Sequence, residues 1–181
     1  MWNNSSTILA VDPGTRKLGV AVLCGNELLF YGVKTVTNRK NPLLVLETIS
    51  SYIRILLKKY RPTYLAIEKM FVTQKNSSLL VVAAEQIKAT AKEANLPIYE
   101  YAPSTVRKRL CQSGRATKRE TAEILAERFP ELKRYYQRTA AWERDYYGNL
   151  FDAVAIGVVC AEDLMESEPL NGAKTLTHNQ E

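Results

Sequence analysis

Three acidic residues stand where an acid could do chemistry. Asp12 closes the apolar run Ile8-Leu9-Ala10-Val11, Glu68 closes Thr63-Tyr64-Leu65-Ala66-Ile67, and Asp152 precedes a stretch, Ala153 to Ala161, that is apolar almost all round. The first two runs read as buried strands and the third as a buried helix predicted over Asn149 to Leu164, with Asp152 in its first turn. If the strands that end in Asp12 and Glu68 are parallel neighbours, their carboxylates lie one strand spacing apart, ~4.8 Å. Two unit charges 4 Å apart repel by about 4 kcal/mol at an effective dielectric of 20, so three such groups are costly unless a divalent cation sits among them. The donors are all hard oxygens. Cys24, Cys111 and Cys160 show no paired spacing and the single histidine, His178, lies in a polar tail, which points to Mg²⁺ or Mn²⁺ rather than zinc. Plainer readings stand beside this one. Asp12 also suits the first position of a turn, Glu68 also suits a surface loop, and Asp152 also suits the third position of a helix capped by Asn149. Three such acids in one chain favour a shared site over three coincidences.

The elements that must position these acids are readable in outline. Asp12-Pro13-Gly14-Thr15 has the residue types of a type II turn, leading into a second strand over Leu18 to Leu23. Gly25-Asn26 is a two-residue hairpin signal before a third strand, Glu27 to Val36. Three consecutive antiparallel strands follow. Asn41-Pro42 opens a helix whose apolar face runs through Leu43, Leu46, Ile49, Ile53, Leu56 and Tyr60, ended by Arg61-Pro62. Thr63 to Glu68 is the fourth strand. Asn76 to Ala94 is helical, with an apolar stripe wider than one sheet contact needs, so a second copy of the chain is one candidate to cover it. Pro97 to Tyr101 is a fifth strand, and Pro103 to Leu110 and Lys118 to Phe129 are helices crowded with Lys and Arg. Pro130 to Gly148 mixes Tyr, Trp and Arg without a clean period and reads as a loop or lid, an insertion within one domain spanning 1–165, followed by a disordered tail over 166–181.

The bulk numbers bound the function. At 181 residues and 46% hydrophobic, the chain fits one globular domain. Its 25 Lys plus Arg against 19 Asp plus Glu leave a net charge of +6, which favours a polyanionic partner. No apolar run approaches the ~20 residues of a membrane span, and the first residues lack the parts of a signal peptide, so a soluble cytoplasmic protein is expected.

Several short motifs in fixed order then carry a resemblance. Asp12-Pro13-Gly14-Thr15 with Gly19, Ala66-Ile67-Glu68-Lys69-Met70-Phe71 followed by Lys75-Asn76-Ser77, Pro97 to Pro103, Val106-Arg107, Gly114, Lys118 and Asp152 to Gly157 together resemble the RuvC Holliday-junction resolvases of the RNase H superfamily. The resemblance implies an α/β fold with a five-stranded mixed sheet, three antiparallel strands then two parallel, flanked by helices. It also implies a homodimer and Mg²⁺-dependent paired nicking of four-way-junction DNA, with two metal ions per site, one activating water and one steadying the leaving 3′ oxygen. On it, Asp12, Glu68 and Asp152 hold the metals, Phe71 wedges or stacks at the crossover, and Arg107 and Lys118 touch phosphates. Lys69, Lys75, Lys108, Arg109, Arg115 and Arg119 are further phosphate candidates, a solvated charged face being the plainer account of any one of them; for Phe71 it is a core position.

Two departures from the family pattern matter. The position three residues before the last acid is usually an acid or a histidine in the family, and here it is Asn149, which brings an oxygen without a charge; Asp145 could substitute if the helix starts earlier. The 130–148 segment is longer than usual. Three other functions stay open: an RNase H-like nuclease acting on RNA or another branched DNA, a junction-binding scaffold with weak catalysis, and a sugar-kinase-like or actin-like ATPase. The last would need a second lobe and a second Gly-rich phosphate loop, which this chain lacks.

Overall fold

A meander of three strands begins the computed structural model, which describes residues 6–37, 40–70, 78–138 and 141–167, with 141, 142 and 144 by backbone alone. Strand β1 (Thr7–Asp12) pairs antiparallel with β2 (Lys17–Cys24), and β2 with β3 (Glu27–Thr35). The Gly25-Asn26 hairpin forms as predicted: Cys24 faces Glu27, and Gly25 takes φ 56, a value that costs a glycine little. The predicted type II turn after Asp12 does not form, since Gly14 lacks the positive φ it requires. Glycine is needed there for a different reason. The Lys17 carbonyl oxygen lies 1.9 Å from where a Cβ would stand.

Helix α1 (Pro42–Tyr60) starts at Asn41, whose side chain accepts from the Leu43 and Leu44 amides, and stops at Arg61 in the left-handed region. Its buried face begins at Val45 and continues through Ile49, Ile53 and Leu56. Leu43, expected in that stripe, lies in the first turn and is 74% exposed. Strand β4 (Tyr64–Glu68) runs parallel to β1, helix α2 (Ser78–Glu93) crosses back, and β5 (Ile98–Tyr101) runs parallel to β4. The strand order is therefore β3-β2-β1-β4-β5, the mixed sheet that the resemblance implies.

Helices α3 (Pro103–Cys111) and α4 (Lys118–Arg128) follow, the latter opened by a capping box between Thr117 and Glu120. The 130–148 segment is not a loop. It holds a 3-10 turn (Pro130–Leu132), a short helix α5 (Lys133–Tyr136) and the start of α6 (Ala141–Ser167). Helix α6 thus begins eight residues before Asn149, which therefore is not an N-cap, and Asp152 lies well inside the helix. Met165 to Ser167 complete α6, so the expected disordered tail loses its first residues; 168–181 lie outside the described residues.

The two faces of the sheet carry separate cores. Leu9, Val11, Leu65 and Ile67 point to α1 and α2, and Ile8, Ala10, Ala21 and Ala66 point to α6 and its neighbours. Strands buried on both faces read as unbroken apolar runs, which is why β1 and β4 are recognisable without alternation. Each fully buried Leu, Ile or Val contributes about 1.5–3 kcal/mol of transfer free energy. Alanines at 10, 21 and 66 let α6 approach closely, and Gly157 lies where a Cβ would meet Leu23 at 2.3 Å and Ala10 at 3.0 Å.

Candidate active site

Strand parity decides where the acids point. Asp12 shares the face of Ile8 and Ala10, and Glu68 shares that of Ala66, so both carboxylates face α6 rather than α1. Val11 pairs with Ile67 in the parallel ladder, and Asp12 and Glu68 are the next residues on each strand, side by side at its end. Opposite Asp12 across the antiparallel ladder is Gly19. A Cβ on Gly19 would stand 1.9 Å from the backbone oxygen of Asn149, so glycine at this position is what lets α6 lie directly over the end of β1. Along α6, Asp145, Asn149 and Asp152 follow at steps of four and three, and therefore share one face.

The contacts follow from this placement. Asn149 donates from Nδ2 to Asp12 Oδ2 at 2.8 Å and, more weakly, to the Lys17 carbonyl at 3.5 Å. Asp12 is 6% exposed. Burial, then the charges of Asp152 and Glu68, holds its carboxyl well above the usual carboxylate range, against the pull of Lys118 and the Asn149 hydrogen bond. Burial and Asp152 likewise push Glu68 up to about 7, opposed by Lys118 and Arg107. The three acids therefore lie within electrostatic reach of one another. Lys118 Nζ donates to Asp152 Oδ2. Partial burial pulls its ammonium down, but Asp152 and then Asp12 and Glu68 raise it further, so the net shift is upward.

The predicted residues divide clearly. Asp12, Glu68, Asp152, Asn149, Lys118 and Arg107 are brought together, with Glu68, Arg107, Lys118 and Asp152 lining one cavity of about 170 Å³. Arg107 is braced by its own hydrogen bonds to the Pro103 and Ala116 carbonyls. Asp145 is 78% exposed and is paired with Lys17 Nζ at 2.5 Å, although the helix does start early enough to include it. Lys69, Lys108, Arg115 and Arg119 are exposed and do not line that cavity. Arg109 of α3, expected among the phosphate cations, is held by Asp163 and Glu166 instead. Phe71 and Lys75 lie outside the described residues. Sequence reasoning missed the reach of Lys118 onto Asp152 and the role of Lys17, whose carbonyl packs against Gly14 and accepts from Asn149; no spacing in the chain signals either.

The donor chemistry suits a divalent cation: carboxylate and amide oxygens, no thiol or imidazole among the described residues that line the cleft, and two carboxyls raised by burial and by neighbouring acids. Among the described residues, no three acidic, thiol or imidazole side chains are drawn to ligating distance of one point. The oxygens of Asp152 and Asp12 instead meet Lys118 and Asn149.

Known proteins are similar to this chain over most of its length. The sequence model of the family described as "Crossover junction endodeoxyribonuclease RuvC" matches residues 8–142, a stretch holding Asp12, Glu68 and Lys118 and ending before Asn149 and Asp152. A RuvC of Heliobacterium modesticaldum is 28% identical over 163 residues, 87% of this chain and 94% of that protein. A RuvC of Mannheimia succiniciproducens is 27% identical over 188 residues, covering 100% and 88%. The structure of T. thermophilus RuvC in complex with a Holliday junction substrate has the same fold, with a TM-score of 0.71 over 89% of this chain and 96% of that one at 24% identity. With its five-stranded mixed sheet and with three quarters of its length matched by that one family, this chain belongs to the RuvC family of crossover junction endodeoxyribonucleases.

Proposed function

We propose that this protein resolves four-way DNA junctions by paired, symmetric nicks during recombination and repair, and that Asp12, Glu68 and Asp152 are its catalytic carboxylates. The observation that carries the reading is the meeting of two strand-end acids with an acid on the helix that crosses them, in a chain of this family. The three carboxylates would hold divalent cations, Mg²⁺ or Mn²⁺, two per site. Such a cation supplies Lewis-acid activation of water and neutralises charge gathering on the phosphate. The chain's own residues do the rest. Asn149 fixes the rotamer of Asp12 through its amide hydrogen bond. Lys118 and Arg107 carry positive charge to the cavity where the scissile phosphate would lie, and Lys69, Lys75, Lys108, Arg115 and Arg119 would meet phosphates along the arms. Phe71, just past the active strand, would stack at the crossover.

A homodimer acting in the cytoplasm completes the proposal, because paired nicks need two sites. Exposed apolar residues on the outer face of α1 and α2, Ile55 and Val82, support an interface there; among the described residues no helix is long and apolar enough to cross a membrane. One observation favours a second reading: Asn149 brings no charge where the family has one, and a junction-binding scaffold with weak catalysis would follow. Incubating the protein with labelled four-way junction, duplex and RNA–DNA hybrid in Mg²⁺ or Mn²⁺ tests both. Paired cuts in the junction support the proposal; tight binding without cuts supports the scaffold; cutting of the hybrid alone makes it a nuclease of another substrate.

A further inference from the structure

Beside the cleft that holds the acids lies a second cavity of about 780 Å³, which the reaction itself does not require. Its volume is within the range of about 300–1,000 Å³ typical of small-molecule sites. The two cavities share a wall, since Lys118 and Asp152 line both. The other walls come from α4, α5 and the early turns of α6. They are aromatic and basic. Tyr135 and Tyr147 pack ring to ring at 4.7 Å, Tyr135 meets Tyr31 edge-on at 5.9 Å, and Arg134 lies over the Tyr135 ring at 4.7 Å. These contacts make one wall rigid. Tyr136 and Arg119 line the cavity as well, Arg119 exposed on α4, and Arg138, which also lines it, is paired with Glu143 at 3.0 Å.

We propose that this cavity receives an unstacked nucleobase of the cleaved strand, next to the phosphate that Lys118 would hold. The inference rests on the junction reading above and specifies its substrate contacts. Aromatic faces with a guanidinium alongside bind bases by stacking, which is the main way proteins hold nucleotides outside a duplex. The charge of a polyanionic strand also matches Arg119, while Lys118 and Arg138 are paired with Asp152 and Glu143. The crossover supplies bases whose stacking is already broken, so little unstacking has to be done on entry. Because the cavity adjoins the acids, a base seated in it would set which phosphate they address.

The test uses photocrosslinking, which needs no cleavage. Four-way junctions carrying 5-iodouracil at single positions near the crossover are irradiated with the metal-free protein, and crosslinked peptides are mapped. The expected result is one position, within about three nucleotides of the crossover, that joins to Tyr135, Tyr136 or Tyr147. Its yield should fall by about fivefold or more in Tyr136→Ala, the loss of one stacking contact, and should also fall in Arg119→Ala, which keeps the test decisive if the tyrosine variant fails to fold. Crosslinks confined to other parts of the chain, or yields that neither variant alters, would overturn the inference even if the junction is cut. A protein that binds no junction overturns both this inference and the function proposed above. The expected crosslink in a protein that never cuts supports the cavity's role and counts against the reaction alone.

Discussion

Glu68 carries the clearest residue-scale consequence of the crowding. Its carboxyl is pushed from an ordinary 4.5 to about 7, so the native state holds a proton that the unfolded chain has released. Stability linked to that proton is fully present below pH 4.5 and is lost as pH rises through 7. Each pKa unit is worth about 1.4 kcal/mol and partial exposure screens it, which leaves a loss on the order of 2 kcal/mol. Denaturation of the metal-free protein at pH 5 and pH 8 should show this decline, and Glu68→Gln should flatten it. Mg²⁺ should restore stability at pH 8 in the wild type only. Asn149 gives a second residue-scale prediction. Its amide donates to a buried carboxylate, so Asn149→Asp sets charge against charge and should lower metal-free stability by about 1–2 kcal/mol. The same change should lower the Mg²⁺ concentration needed for half-maximal cleavage. A variant with unchanged stability and unchanged metal dependence would remove Asn149 from the site.

At the scale of elements, the close approach of α6 to β1 and β2 is the feature on which the site depends. Gly19→Ala would place a methyl group on the Asn149 backbone, and α6 must withdraw to admit it. The expected cost is about 2–4 kcal/mol in denaturant unfolding, with slower cleavage because Asp152 and Asn149 retreat together. Unchanged stability would mean that the helix gives way more easily than this packing suggests. The strand-end acids were legible because β1 and β4 are apolar on both faces and each stops at a charge. The start of α6 was not. Its early turns carry Tyr146, Tyr147 and Gly148, residues without a helical apolar stripe, and tertiary contacts hold them: Tyr146 donates to the Val33 carbonyl and packs edge-on to Tyr147. Asn149 is among the commonest capping residues, so a reading confined to local preference puts a helix start there. Lys118 was expected on phosphate, and its ion pair with Asp152 joins α4 to α6 across 34 residues, a distance that no local pattern spans.

For the whole molecule, net charge and assembly set the expectations. With +6 overall and with Arg107 and Lys118 lining the acidic cleft, junction affinity should fall steeply with salt, with a log-log slope of about −0.9 for each duplex phosphate neutralised. Charge-removing variants at Arg115 and Arg119 should each reduce that slope by about one unit, whereas a slope unaltered by both would return them to a solvated surface. The proposed dimer predicts that Val82→Glu, at an apolar residue 47% exposed on α2, yields a monomer in sedimentation and uncouples the two nicks. The overall fold was the most legible level, because five strands and their intervening helices each left a local signature in chain order. The convergence of three acids from β1, β4 and α6 was expected as a consequence of that order, and the cations and amide that lie among them emerge only once the chain is folded. The most direct test is a Mn²⁺ titration followed by electron paramagnetic resonance on the wild type and on Asp12→Asn, Glu68→Gln and Asp152→Asn. A shared site predicts that each single variant loses Mn²⁺ affinity by about tenfold or more while keeping its fold. A variant that binds Mn²⁺ as tightly as the wild type would show that its carboxylate belongs to no common site.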